Sequence, residues 1–221
     1  MKNMKKNQRN LIIALTFGVL FVLWTLAVSY IDVRAIGPEG SEVGFATLNG
    51  FVHELTGVHM MLYTMTDWLG LVPFAFVFGF AILGLVQLIR RRSFLKVDRS
   101  ILVLGGFYVL VMAAYLLFEN VVINYRPVLI EGILEVSYPS STTMLTLCVI
   151  PTAMMQIGER IKGRVLRRVV LGVMAVFGAF MVVGRLISGV HWFTDIIGGT
   201  LLSVALVMLY CAVNGMVAEK N

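Results

Sequence analysis

The chain has 221 residues, of which 59% are hydrophobic and only 14% charged, with a mean hydropathy of +0.90. Soluble domains run about 45–50% apolar and about 25% charged, so this composition excludes an ordinary soluble domain, a disordered chain and a disulfide scaffold. The net charge of +6 would suit nucleic acid only as a basic patch on a soluble surface, so its meaning depends on where the charges fall between apolar runs.

A bilayer-spanning helix needs about 20 mostly apolar residues. Six runs qualify: residues 11–31, 68–89, 101–118, 141–157, 169–187 and 194–214. The chain therefore reads as all-α, a single domain over residues 1–221 built as an integral membrane bundle of six transmembrane helices. The first run follows a basic stretch, Lys2 to Arg9, like the n-region of a signal peptide. Its apolar part is too long for a signal and no small-residue cleavage site follows, so it reads as a retained helix.

Residues 32–67 separate the first two runs. Gly37, Pro38 and Gly40 mark a turn. Phe45, Leu48, Val52, Leu55 and His59 then recur at helical spacing, which predicts an amphipathic helix lying at the interface or packed on the bundle. His53, Glu54, His59 and Asp67 are metal-ligating residue types, but their spacing matches no standard ligand motif. The fourth run is the shortest and carries Pro151. Cys148 and Cys211 both lie inside apolar runs and read as small core residues.

Fifteen of the 18 basic residues fall on one side of a six-span chain: before the first run, between the second and third, between the fourth and fifth, and at Lys220. The other side holds Arg34, Arg126 and Arg185. The positive-inside rule puts the rich side in the cytoplasm, with both termini there. Membrane orientation thus accounts for the +6, and no nucleic-acid partner is required.

Two outward segments carry chemistry. Residues 119–140 hold Asn124-Tyr125-Arg126-Pro127 and end in Tyr138-Pro139-Ser140-Ser141-Thr142, where the fourth run begins. Hydroxyls at a helix start cap free backbone N–H groups, and such a start also binds phosphate. Residues 184–195 end one run with Arg185 and start the next with His191 and Asp195, four apart and hence on one helix face. A carboxylate there can hold one imidazole nitrogen and leave the other free to attack. The same residues also fit an interfacial Arg–Asp pair with a capping role.

These segments resemble the type 2 phosphatidic acid phosphatase superfamily, the integral-membrane lipid phosphate phosphatases. The family's motifs are Lys-x6-Arg-Pro, Pro-Ser-Gly-His and Ser-Arg-x5-His-x3-Asp. Here they read Glu119-x6-Arg126-Pro127, Pro139-Ser140-Ser141-Thr142 and Gly184-Arg185-x5-His191-x3-Asp195. The first Lys is Glu119, the second-motif His is Thr142 and the third-motif Ser is Gly184.

The resemblance implies that His191 is a nucleophile forming a phosphohistidine, with Asp195 orienting it. It implies that Arg126 and Arg185 clamp phosphate oxygens, with Ser140, Ser141 and nearby N–H groups completing the cradle. Lost are one positive charge, one hydroxyl and the usual acid for the leaving group. Glu119 is left to act as that acid, to read a cationic headgroup, or to sit as a rim charge. The implied function is a membrane phosphatase for a lipid phosphate or diphosphate, such as phosphatidate or a polyprenyl diphosphate, in the cell membrane with its site on the extracytoplasmic side. A headgroup phosphotransferase and a catalytically impaired lipid-phosphate binder are the alternatives. Fixed cations and N–H donors suffice for such a site, so no metal or other cofactor is expected.

Overall fold

A computed structural model of the chain describes residues 2–219; Lys220, expected among the cytoplasmic charges, lies outside them. The described residues form eight α-helices and no strands: α1 Lys2–Tyr30, α2 Ala46–Thr56, α3 Met60–Leu69, α4 Leu71–Arg91, α5 Arg99–Asn120, α6 Ser141–Arg160, α7 Arg164–Ile187 and α8 Phe193–Glu219. Six helical stretches are long and apolar enough to cross a membrane, with α3 and α4 together forming one, Met60–Arg91. The chain is a multi-pass membrane protein.

The second stretch begins at Met60, well before the apolar run at 68–89. Residues 60–67 include Tyr63, Thr64, Thr66 and Asp67, which dilute the hydropathy without breaking the helix. The predicted amphipathic segment forms α2, but it stops at Thr56 because Gly57 leaves helical geometry at φ +65. His59 therefore belongs to the start of α3 rather than to the stripe on α2. His53, Glu54, His59 and Asp67 do not gather: no three His, Cys, Asp or Glu residues are grouped to hold a metal among the described residues.

α6 is the central helix. It packs on α4, α5, α7 and α8, while α1 lies along α8. Around α6 sits the main core, with Leu104, Phe107, Tyr108, Val111, Met144, Val149 and Ile150 all buried. Because lipid never reaches most of α6, it carries Thr143, Thr146, Thr152 and Gln156 on buried positions. Gln156 Nε2 donates to Tyr210 Oη at 2.8 Å, and Thr152 Oγ1 donates to the Cys148 carbonyl at 2.7 Å. Internal partners of this kind are what polar groups need at membrane depth. The outward faces of α1 and α7 are apolar instead, with Ile12, Leu15, Val19, Val169, Val173 and Val176 exposed. Cys148 and Cys211 are free thiols.

The helices alternate in direction, so the connections 31–59, 121–140 and 188–192 meet at one end of the bundle. Trp24 Nε1 donates to the Thr194 carbonyl at 3.2 Å and the Thr25 and Tyr138 hydroxyls lie 2.8 Å apart, joining α1 to that end. Lys5, Lys6, Arg9 and the arginine-rich turns near residues 90–99 and 160–168 occupy the opposite end.

Candidate active site

The end of α7 and the start of α8 set the centre. Arg185 lies in the last turn of α7, and the chain turns through Ser188 and Gly189 before α8 starts at Phe193. The Trp192 backbone N–H donates to Asp195 Oδ2 at 3.0 Å, so the carboxylate closes the first turn of α8. Asn124 Nδ2 donates to Asp195 Oδ1 at 3.3 Å. Trp192 Nε1 donates to the Tyr125 carbonyl at 2.7 Å, tying the Asn124–Pro127 segment to this turn. His191 Nδ1 lies 3.6 Å from Asp195 Oδ2.

On the other edge of the imidazole, Arg126 Nη1 is 3.2 Å and Arg185 Nη2 is 3.4 Å from His191 Nε2. A guanidinium can only donate. Nε2 must therefore carry the lone pair and Nδ1 the proton, on the side of Asp195. Burial, followed by Arg126 and then Arg185, holds the His191 pKa well below its usual 6.5. The ring is neutral with its acceptor nitrogen turned to two cations.

Both guanidiniums line a cavity of about 520 Å³. Arg126 is 9% and Arg185 1% exposed. Each has a carboxylate beside it: Arg126 Nε lies 2.8 Å from Glu135 Oε2, and Arg185 Nη1 lies 3.5 Å from Asp67 Oδ1. Tyr63 sits under both, with its ring centre 5.0 Å from the Arg185 guanidinium carbon and 6.0 Å from that of Arg126. Glu119, Ser141 and Thr142 also line the cavity.

The structure thus brings Arg126, Arg185, His191 and Asp195 together, with Glu119, Ser141 and Thr142 on the adjoining cavity wall. Ser140 departs from expectation. It is fully buried, its backbone N–H donates to the Asp195 carbonyl at 3.1 Å, and its hydroxyl accepts from the Thr143 N–H at 3.5 Å. It is a helix cap and does not reach the cavity, because the free N–H groups at the start of α6 claim its hydroxyl. His191 also stands behind the cavity wall, 3% exposed and screened by the two arginines.

Sequence reasoning missed Tyr63, Thr66, whose hydroxyl accepts from Arg185 Nη1 at 3.5 Å, Asp67 as a partner of Arg185, Asn124 and Glu135. Tyr63 and Asp67 are four apart and share a face of α3, but nothing in the spacing connects that face to Arg185. Asn124 lies two residues before Arg126 and was the most accessible of the five.

With this geometry in view, the family model of the PAP2 superfamily matches residues 119–217, from the cavity-lining Glu119 through α8. That stretch, which carries Arg126, Arg185, His191 and Asp195, is thus similar to the PAP2 superfamily. Comparison with curated proteins finds no significant match. Among solved structures, the chain is similar to the crystal structure of a transmembrane PAP2-type phosphatidylglycerolphosphate phosphatase from Bacillus subtilis. The TM-score is 0.59 at 18% identity, covering 94% of this chain and 96% of that one. The likeness is one of fold, and it extends over α1–α4, beyond the residues that the family model matches.

Proposed function

We propose that the chain hydrolyses a lipid phosphate or diphosphate at the extracytoplasmic membrane face, through a phosphate carried on His191. One observation carries this reading: His191 Nε2, the unprotonated nitrogen, accepts from Arg126 and Arg185 together. A lone pair held between two cations is where an electrophilic phosphorus would be attacked and its oxygens neutralised. The asymmetry of basic residues supports the extracytoplasmic assignment.

In the first step Nε2 bonds to phosphorus as the bond from phosphorus to the leaving oxygen breaks. The departing electron pair stays on that oxygen. The phosphorylated imidazole keeps its Nδ1 proton and gains positive charge, which Asp195 offsets. Arg126 and Arg185 swing from Nε2 onto phosphate oxygens, where a planar fork fits a tetrahedral oxyanion. In the second step water attacks phosphorus, the N–P bond breaks with its pair returning to Nε2, and the water proton leaves with the phosphate product or solvent.

With Thr142 where the family has a histidine, the leaving oxygen lacks the usual proton donor. General acid catalysis contributes about 10²–10⁴-fold. A phosphate leaving group is already a weak base and depends on it less than an alkoxide. We therefore place a lipid diphosphate ahead of a monophosphate of the phosphatidate type.

The test is phosphate release from both lipids by the purified protein, with acid-labile labelling at His191 from a radiolabelled terminal phosphate. Label on the wild type and none on His191→Ala is the expected result. Faster release from phosphatidate overturns the diphosphate preference. Tight lipid binding with no label and no release would identify a lipid-phosphate binder instead.

A further inference from the structure

From the charges around the cavity we infer that the substrate headgroup carries an ammonium group as well as phosphate. This rests on the phosphatase reading and refines it. The cavity wall holds two cations, Arg126 and Arg185, and three carboxylates, Asp67, Glu119 and Glu135. Asp67 and Glu135 each stand beside one of the arginines. Glu119 has no ion pair among the described residues and is left over.

A site evolved around bare phosphate would gain from a surplus of cations. Here a phosphate dianion enters a wall that is already net negative and must also draw the arginines away from their carboxylates. A phosphate arriving with its own cation solves both problems. The guanidiniums turn to the phosphate, and the ammonium takes up the released carboxylates and Glu119. The anionic half is marked independently: Arg185, 1% exposed, has its Nε buried with no hydrogen-bond acceptor among the described residues. On the cationic half, Tyr115 and Phe74 line the same cavity as Glu119, and aromatic rings are residue types that favour an ammonium. A divalent metal fits less well, since no three of these acids are grouped to ligate one.

The probes are 2-aminohexadecyl phosphate and its N-acetyl derivative, which differ in whether the nitrogen is charged. Phosphate release is measured with chelator present and again with magnesium. The expected result is a kcat/KM about three- to fivefold higher for the amine, the size of a partly exposed ion pair. In Glu119→Gln that ratio falls toward one. Equal kcat/KM for the two lipids overturns the inference. So does magnesium raising the N-acetyl compound to the level of the amine, which would make the companion a metal ion. If neither lipid is hydrolysed, the phosphatase reading fails separately, and the same pair is compared as competitors for lipid binding. Preference for the amine then still supports the inference, and equal competition overturns it.

Discussion

Gly189 lies so close to Gly57 that a Cβ on Gly189 would sit 1.9 Å from the Gly57 carbonyl oxygen. Beside it, the His59 N–H donates to the Ser188 carbonyl at 3.0 Å. The turn that carries His191 is thereby pressed onto the loop between α2 and α3. Gly189 also has φ +68, where a side chain adds about 1–2 kcal/mol of strain. Gly189→Ala is expected to lower thermal stability by more than that and to abolish phosphate release, because the turn must lift away from Gly57. Melting in detergent and a phosphate assay on the same sample check this.

Asp195→Asn keeps an acceptor for the Trp192 N–H but loses the charge opposite His191 Nδ1. The expected result is a kcat lower by about 10²–10⁴-fold with a much smaller change in KM. A positioning role requires that split. Equal loss through KM alone would make Asp195 a purely structural cap.

The buried, cation-flanked His191 sets a pH dependence. Unfolded, it titrates near 6.5; folded, its pKa lies well below that. Between those values the unfolded chain binds the extra proton, so this residue's contribution is fully present above about pH 6.5 and is lost as pH falls below it. On the proposed function, the unprotonated Nε2 that would attack phosphorus likewise persists below pH 6.5. A kcat/KM profile is expected to show its acid limb well under 6.5, and Arg126→Ala, by removing one neighbouring cation, moves that limb upward. An acid limb at 6.5 in the wild type would contradict the neutral, screened imidazole.

Gly184, where the family has serine, faces Thr66. A Cβ on Gly184 would lie 2.8 Å from Thr66 Cγ2, and the Thr66 hydroxyl is held by the Leu62 and Tyr63 carbonyls at 2.9 and 3.0 Å. Gly184→Ser is expected to cost about 1–3 kcal/mol by overpacking. Thr66→Ser removes the methyl group and keeps the hydroxyl near Arg185. The double variant is therefore expected to recover most of the loss, giving a coupling energy of about 0.5–3 kcal/mol in a double-mutant cycle.

Thr142 lines the cavity at the position of the family's histidine. Thr142→His is expected to raise phosphate release from a phosphatidate-type monoester more than from a lipid diphosphate. An equal change for both lipids would show that the missing acid is not what separates them.

Much of this architecture was legible in the sequence because lipid imposes strong constraints on outward-facing residues. The exposed faces of α1 and α7 had to be apolar, and their runs were plain. α6 was harder to bound because its neighbours shield Thr143, Thr146, Thr152 and Gln156, so protein replaces lipid as their solvent. The site followed the same division. Arg185, His191 and Asp195 share a short stretch around one turn, so their proximity is readable from spacing alone. Tyr63, Asp67 and Glu135 reach the arginines from separate segments, so only the fold joins them. Ser140 is ambiguous in the sequence because a hydroxyl at a helix start suits both a cap and a phosphate, and here the Thr143 N–H takes it.

The pairing of Arg126 with Glu135 and Arg185 with Asp67 bears on how turnover ends. Two naked guanidiniums in a buried pocket would grip the last anion they met, and inorganic phosphate would be slow to go. On the proposed function, each arginine would regain its own carboxylate as the product left, and the pocket would reset without borrowing an ion from solution.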